Sequence, residues 1–199
     1  MKTSNSISSL LIFFISISVC SQDVNIEMQK LSDQVYMLTG QGGNIGVSVG
    51  DDGVFIIDDQ FAPLSEKIVA TIKTISDQPI KYVANTHHHG DHTGGNENLA
   101  KLGATIIAHE NVRKRLEDQP KDALPVITFN DKLSVYMNGE QVLVFHLNNA
   151  HTDGDSMLYF TKSNVLHTGD VFFNGRYPYI DLSSGGSVKG YIEAVKQAL

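Results

Sequence analysis

The run Asn85-Thr86-His87-His88-His89-Gly90-Asp91-His92-Thr93-Gly94-Gly95 places four imidazoles and a carboxylate within six positions. Imidazole nitrogen and carboxylate oxygen are the donors that hold zinc in catalytic sites. On extended backbone, alternate side chains share a face, so His87 and His89 can grip one ion while His88 points away from it. A turn at Gly90 then sends Asp91 and His92 toward a second position. A His-x-His-x-Asp-His pattern arises by accident less than about once in a thousand chains of this composition. The competing reading is a histidine-rich surface loop with no ion.

The surrounding elements must deliver this run to a surface. Residues 80–84 read as a strand that leads straight into it, and functional side chains converge on such loops. Upstream, 34–39, 45–49 and 54–58 read as strands separated by Gly40, Gly42, Gly43 and by Asp51-Asp52-Gly53. Leu64, Ile68, Val69, Ile72 and Ile75 fall at helical spacing behind Pro63. Downstream come a short helix over 96–102, a strand over 105–108 and a charged helix over 109–118. Strands over 132–137 and 141–147 form a hairpin around Asn138-Gly139, and 157–161 and 164–167 form another strand pair. Val188, Tyr191, Ile192 and Val195 predict the inward stripe of a terminal helix. Sheets inside with single helices outside give an α/β sandwich.

The 199 residues are 41% hydrophobic, enough for a packed core, and the formal net charge of -7 comes with no Lys/Arg cluster. That balance argues against nucleic acid as a partner and leaves a small-molecule substrate as the expectation. Residues 1–21 read as a signal peptide: Lys2 precedes the apolar run Leu10 to Val19, too short to span a bilayer, and Ser21 precedes a cut ahead of Gln22. The expectation is an exported protein, periplasmic or secreted, whose domain spans 22–199. The single cysteine, Cys20, lies in this leader. It could instead carry a lipid anchor, although Val19 is bulky beside it.

The pattern resembles the metallo-β-lactamase superfamily over roughly residues 30 to 199. Asp58 after the strand Val54-Phe55-Ile56-Ile57 matches the family's first motif, and His87, His89, Asp91 and His92 match the metal loop. His151 in Asn149-Ala150-His151-Thr152 matches the third motif, and Asp170 in His167-Thr168-Gly169-Asp170 the fourth. The resemblance implies an αββα sandwich of two mixed sheets flanked by outer helices. It also implies two Zn2+ ions: His87, His89 and His151 on the first, Asp91 and His92 on the second, Asp170 bridging both, and Asp58 orienting the loop. A metal-activated hydroxide, aimed by Asp91 as the catalytic carboxylate, would then hydrolyse an ester, thioester, lactone or amide, β-lactams included.

One motif of the family, a histidine near the C-terminus that completes the second metal, has no match, because no histidine follows Asp170. The expectation is a domain lacking its last strand, that histidine and a closing helix, with one tight zinc site, a weaker second one and little hydrolase activity. Asp170 stands where some β-lactamases have a cysteine ligand, so those enzymes are excluded, and the ligand set looks like the glyoxalase II type. The leader argues against glyoxalase II itself, which works in the cytosol or mitochondria. Two other classes stay open: an Fe(II)-dependent sulfur dioxygenase of the same fold, and a non-catalytic metal-binding module. His109, His146 and His167 read as packing or supporting histidines.

Overall fold

A computed structural model describes residues 24–199; the leader and Cys20 lie outside the described residues. The chain enters through an antiparallel meander, β1 (Glu27–Lys30), β2 (Val35–Thr39), β3 (Ile45–Gly50) and β4 (Gly53–Ile57). Three parallel strands continue the sheet: β5 (Ile80–Ala84), β6 (Thr105–His109) and β7 (Ile127–Phe129). Parallel neighbours need crossovers, and these are α1 (Ser65–Lys73) and, past the metal loop, α2 (Gly90–Thr93) with α3 (Asn96–Lys101), then α4 (Glu110–Arg115). A second, antiparallel sheet has the order β11-β10-β9-β8, with β8 (Lys132–Met137), β9 (Glu140–His146), β10 (Ser156–Phe160) and β11 (Val165–His167). The last element is α5 (Val188–Ala198).

Side-chain alternation sorts the core into layers. Ile56, Val83 and Ile106 pack against Ile68 and Ile72 of α1 and Leu99 of α3. From the opposite face of the same sheet, Phe55, Ile57, Ala84 and Ile107 meet Val142, Val144, Leu158 and Phe160 of the second sheet. The outer face of that sheet offers Met157 and Phe145 to Tyr191 and Ala194 of α5. The result is the expected α/β/β/α sandwich. A strand such as β4, covered on both faces, is therefore apolar throughout rather than alternating. Burying each such Ile or Phe contributes roughly 1.5–3 kcal/mol.

Four expectations needed correction. The second sheet is antiparallel throughout rather than mixed. β1 and β7 were not foreseen: β1 is Glu-Met-Gln-Lys with every residue exposed, and β7 has three residues. The charged helix is shorter, because His109 ends β6 and caps α4, accepting from the Asn111 N–H through Nδ1 at 3.1 Å. The stripe expected on α5 holds only at Tyr191. Val188, Ile192 and Val195 are exposed, whereas Tyr191 and Ala194 are buried. The cause is Gly190, which lies so close to the Asn149 carbonyl that no Cβ fits. This approach turns the Gly190, Tyr191 and Ala194 face inward and leaves Val188, Ile192 and Val195 to solvent.

Candidate metal centre

The site lies where β4 and β5 end and the two sheets meet. β5 delivers Asn85 and Thr86, then His87. His89 is extended and caps the one-turn helix α2, which carries Asp91 and His92. His151 comes from the loop after β9. This loop is held from below by the segment before α5: the Ser187 N–H donates to the Ala150 carbonyl at 3.0 Å, and the Asp181 N–H donates to the His151 carbonyl at 2.9 Å. Asp170 sits in a tight turn after β11.

Three ring nitrogens converge. His87 Nε2 and His151 Nε2 each lie 3.0 Å from His89 Nδ1. Ligand nitrogens of a tetrahedral zinc stand about 3.3 Å apart. The opposite nitrogen of each ring is already engaged. His151 Nδ1 donates to the Tyr179 carbonyl at 2.8 Å, and His89 Nε2 faces Asp181 Oδ2 at 3.1 Å. The Thr86 hydroxyl donates to Asp58 Oδ2 at 2.8 Å, so it accepts from His87 Nδ1 at 3.1 Å. With their protons on the outer nitrogens, the three inner nitrogens present only lone pairs to one another, and a cation reconciles them.

A second group adjoins the first. His92 Nδ1 lies 2.7 Å from Asp58 Oδ2, which assigns its proton to that side. Its Nε2 is buried and has no hydrogen-bond partner. It lies 3.2 Å from Asp170 Oδ1 and 3.5 Å from Asp91 Oδ2, contacts of charge rather than of aligned hydrogen bonds. The other Asp170 oxygen, Oδ2, is 3.7 Å from His151 Nε2, so this carboxylate reaches toward both groups. The donor types, the orphaned nitrogen and the spacing all fit a bound metal.

Electrostatics separate the two groups. Burial, reinforced by His92, His151, His89 and His88, drives His87 well below the ordinary imidazole range, which keeps it a neutral ligand. Burial opposes charge on His92 as well, but the charge of Asp58 and contacts with Asp170, Asp58 and Asp91 outweigh it and raise His92 well above that range. The carboxylates that favour a proton there favour a metal cation equally. Asp91 is lowered by its contact with His92 and stays ionised.

The structure thus brings His87, His89 and His151 together, and His87, His92 and Asp170 beside them. Asp91 stands next to the second group rather than inside it. Asp58, fully buried, takes the Thr86 N–H at 2.7 Å and orients His92. His88 leaves the first group, as alternation requires; its Nε2 is 3.4 Å from Ser184 Oγ. His167 supports a neighbouring turn, with Nε2 at 3.1 Å from the Asn44 carbonyl. Sequence reasoning missed Asp181. Its carboxylate caps the turn at Ser183 and Ser184 and also fixes His89. The capping was legible in Asp-Leu-Ser-Ser, but the link to His89 across the fold left no local signal.

A cleft of about 950 Å³ opens on the Asp91, His92 and Asp170 side. Its walls include the glycine loop 40–43, Tyr36, Leu166, Phe172 and Phe173, and Arg176 is the one Arg or Lys among them. Among the described residues, no helix is long and apolar enough to cross a membrane.

The fold and the two adjoining side-chain groups make a candidate metal centre, and comparison with known proteins supplies the family. The model of the metallo-beta-lactamase superfamily matches residues 38–199, and the chain belongs to that superfamily. It is 35% identical over 108 residues to a hydroxyacylglutathione hydrolase of Pelagibacter ubique, covering 52% of this chain and 41% of that protein. It is 28% identical over 131 residues to the 2,4-dinitroanisole O-demethylase subunit alpha of a Nocardioides species, covering 63% and 40%. The chain thus spans about two fifths of the length of these curated relatives. Among solved structures, a metallo-beta-lactamase from Pontibacter korlensis aligns with TM-score 0.76 at 22% identity over 87% of this chain and 85% of that one. DIM-1 metallo-beta-lactamase aligns with TM-score 0.76 at 18% identity over 89% and 85%. These structural matches speak to the fold.

Proposed function

We propose that this chain is a zinc-dependent hydrolase of acyl compounds, with thioesters favoured over lactones, other esters and amides. The observation that carries the reading is the set of three inward lone pairs from His87, His89 and His151, with Asp170 reaching from that set to His92. The hydrolase relative, named for an acyl-glutathione substrate, favours the thioester. When bound there, zinc would supply Lewis acidity, lowering the pKa of water toward neutrality and polarising a carbonyl.

The chain's own groups do the rest. His87, His89 and His151 would hold the ion as neutral donors, each fixed in tautomer by its outer partner. His92 and Asp170 would hold a second ion. Asp91, ionised and partly exposed beside His92, is placed to accept a proton from an attacking water and to orient it. No serine or cysteine nucleophile is required. The cleft would take the acyl group against Phe172 and Phe173, and Arg176 offers a partner for an anionic group on the substrate.

The test is turnover of acyl-glutathione thioesters, lactones and β-lactams by purified protein of measured metal content, before and after chelation. Chelator-sensitive thioester hydrolysis restored by zinc supports the proposal. Turnover indifferent to chelation, or iron as the metal that purifies with the protein, overturns it.

A further inference from the structure

The short segment after β4, Asp58-Asp59-Gln60, is fully buried although it is entirely polar. Two of its residues hold left-handed backbone, Asp58 at φ 60 and Gln60 at φ 55. Aspartate tolerates that region; glutamine has no such preference and stays there only because the surroundings impose it. Asp58 orients His92 and Thr86. Asp59 accepts the Gly95 N–H at 2.8 Å and so fixes the chain beyond α2. Gln60 is not used by the metal site as described, yet its amide oxygen, amide nitrogen and backbone carbonyl are all engaged.

Its carbonyl also accepts from Gly95, at 3.1 Å. Its side chain crosses to the glycine loop, where Nε2 donates to the Gly43 carbonyl at 2.6 Å and Oε1 accepts the Gln41 N–H at 3.2 Å. The loop it holds rests directly on His92, a candidate ligand, and on Asp91 beside it. A Cβ at Gly42 would strike the Asp91 side chain, and one at Gly43 would strike the His92 ring. The same loop forms one wall of the cleft. Gln60 therefore ties together the chain that carries Asp91 and His92 and the loop that covers them.

We propose that Gln60 is a positioning residue that clamps the glycine loop 40–43 onto Asp91 and His92, holding both side chains in the orientation the second metal position needs. Glutamine suits the task because one neutral side chain supplies both a donor and an acceptor. A carboxylate would lose the bond to Gly43 and add a buried charge beside Asp58 and Asp59. The role rests on the metal reading above for its consequence, but not for the clamp itself.

The experiment separates the two. Gln60→Met keeps the reach of the side chain and removes both amide hydrogen bonds. Amide hydrogen exchange is measured in metal-free protein, and cobalt(II) is titrated into the same samples while its visible absorption bands are followed. Exchange at Gln41 should quicken at least about 10-fold. Binding of the first cobalt should stay within about twofold of the parent, and affinity for the second should fall about 10–100-fold, the usual effect of losing an outer support. Gln41 exchange at the parent rate refutes the clamp. Faster exchange with second-cobalt affinity unchanged refutes its consequence for the metal. A parent that binds no cobalt defeats the metal reading, while the exchange result still decides the clamp. If Gln60→Met does not fold, Gln41→Pro removes the N–H that Gln60 Oε1 accepts without touching the buried segment, and unchanged second-cobalt affinity there overturns the proposal.

Discussion

The two halves of the site are built on opposite electrostatic plans. The His87, His89 and His151 group is made of imidazoles whose protons point outward to a threonine, a carboxylate and a backbone carbonyl. The His92 group sets one buried imidazole among three carboxylates, Asp58, Asp91 and Asp170. The first group would gain a metal without having to shed charge-stabilised protons from His87. The second must exchange a proton that its carboxylates hold firmly on His92. A shared Asp170 lets one scaffold carry a preformed nitrogen pocket beside a charge-rich pocket that depends on loop packing.

The largest effect should come from the first group. His89→Ala removes one of three converging nitrogens and should abolish turnover and cost more than the roughly 100-fold in metal affinity seen for the loss of a supporting partner. Isothermal titration with zinc reads this directly. Loss of only the weaker of two zinc events would break the division between the halves.

Asp58→Asn should come next. It keeps the shape but removes the charge that orients His92 and accepts from Thr86, so affinity at the second position should drop about 10–100-fold while the first changes less. Equal losses at both positions would mean that Asp58 acts through Thr86 and His87 as much as through His92.

A smaller effect lies away from the site. His109 stacks on His146 with ring centroids 3.7 Å apart and planes 9° from parallel. Its Nε2 donates to the Asn130 carbonyl at 3.0 Å, and burial first, then His146, lowers its pKa to about 4. The folded ring is therefore neutral where the unfolded one, near 6.5, takes up a proton. This contribution is complete above about pH 6.5 and is lost as pH falls toward 4. The melting temperature of the parent should lose about 2–4 °C of its advantage over His109→Gln between pH 7 and pH 4.5, as expected for ~1 kcal/mol. A gap that widens on acidification would contradict the assignment. The smallest effect is expected from His88→Ala, whose ring is outside both groups: zinc affinity and turnover should stay within about threefold. A loss rivalling that of His89→Ala would reverse the facing of the two rings.

Local chemistry made half of this legible from the sequence. Asn138-Gly139 adopts the positive φ values of its turn, and the apolar run of β4 becomes a doubly covered strand. The absence of His88 from the group of His87, His89 and His151 followed from strand alternation, although its ring stays 4.6 Å from that of His89. What stayed hidden depends on distant partners. β1 is polar and exposed and exists because β2 offers it an edge. The inward face of α5 is decided by how closely Gly190 approaches Asn149, which no periodicity encodes. Asp181 and Gln60 act through hydrogen bonds to residues 92 and 17–19 positions away. The stack of His109 on His146 likewise joins two sheets, so each ring alone suggested only ordinary packing.

In the proposed function, the converging imidazoles of His87, His89 and His151 hold one metal on which hydrolysis depends. Zinc titration of metal-free protein, with thioester turnover read at each addition, tests it most directly. Turnover should be absent without zinc, and the first, tight binding event should vanish in His89→Ala. A second, weaker event should remain sensitive to Asp58→Asn. Thioester hydrolysis at full rate in metal-free protein, or a tight zinc site that survives His89→Ala, would contradict the account.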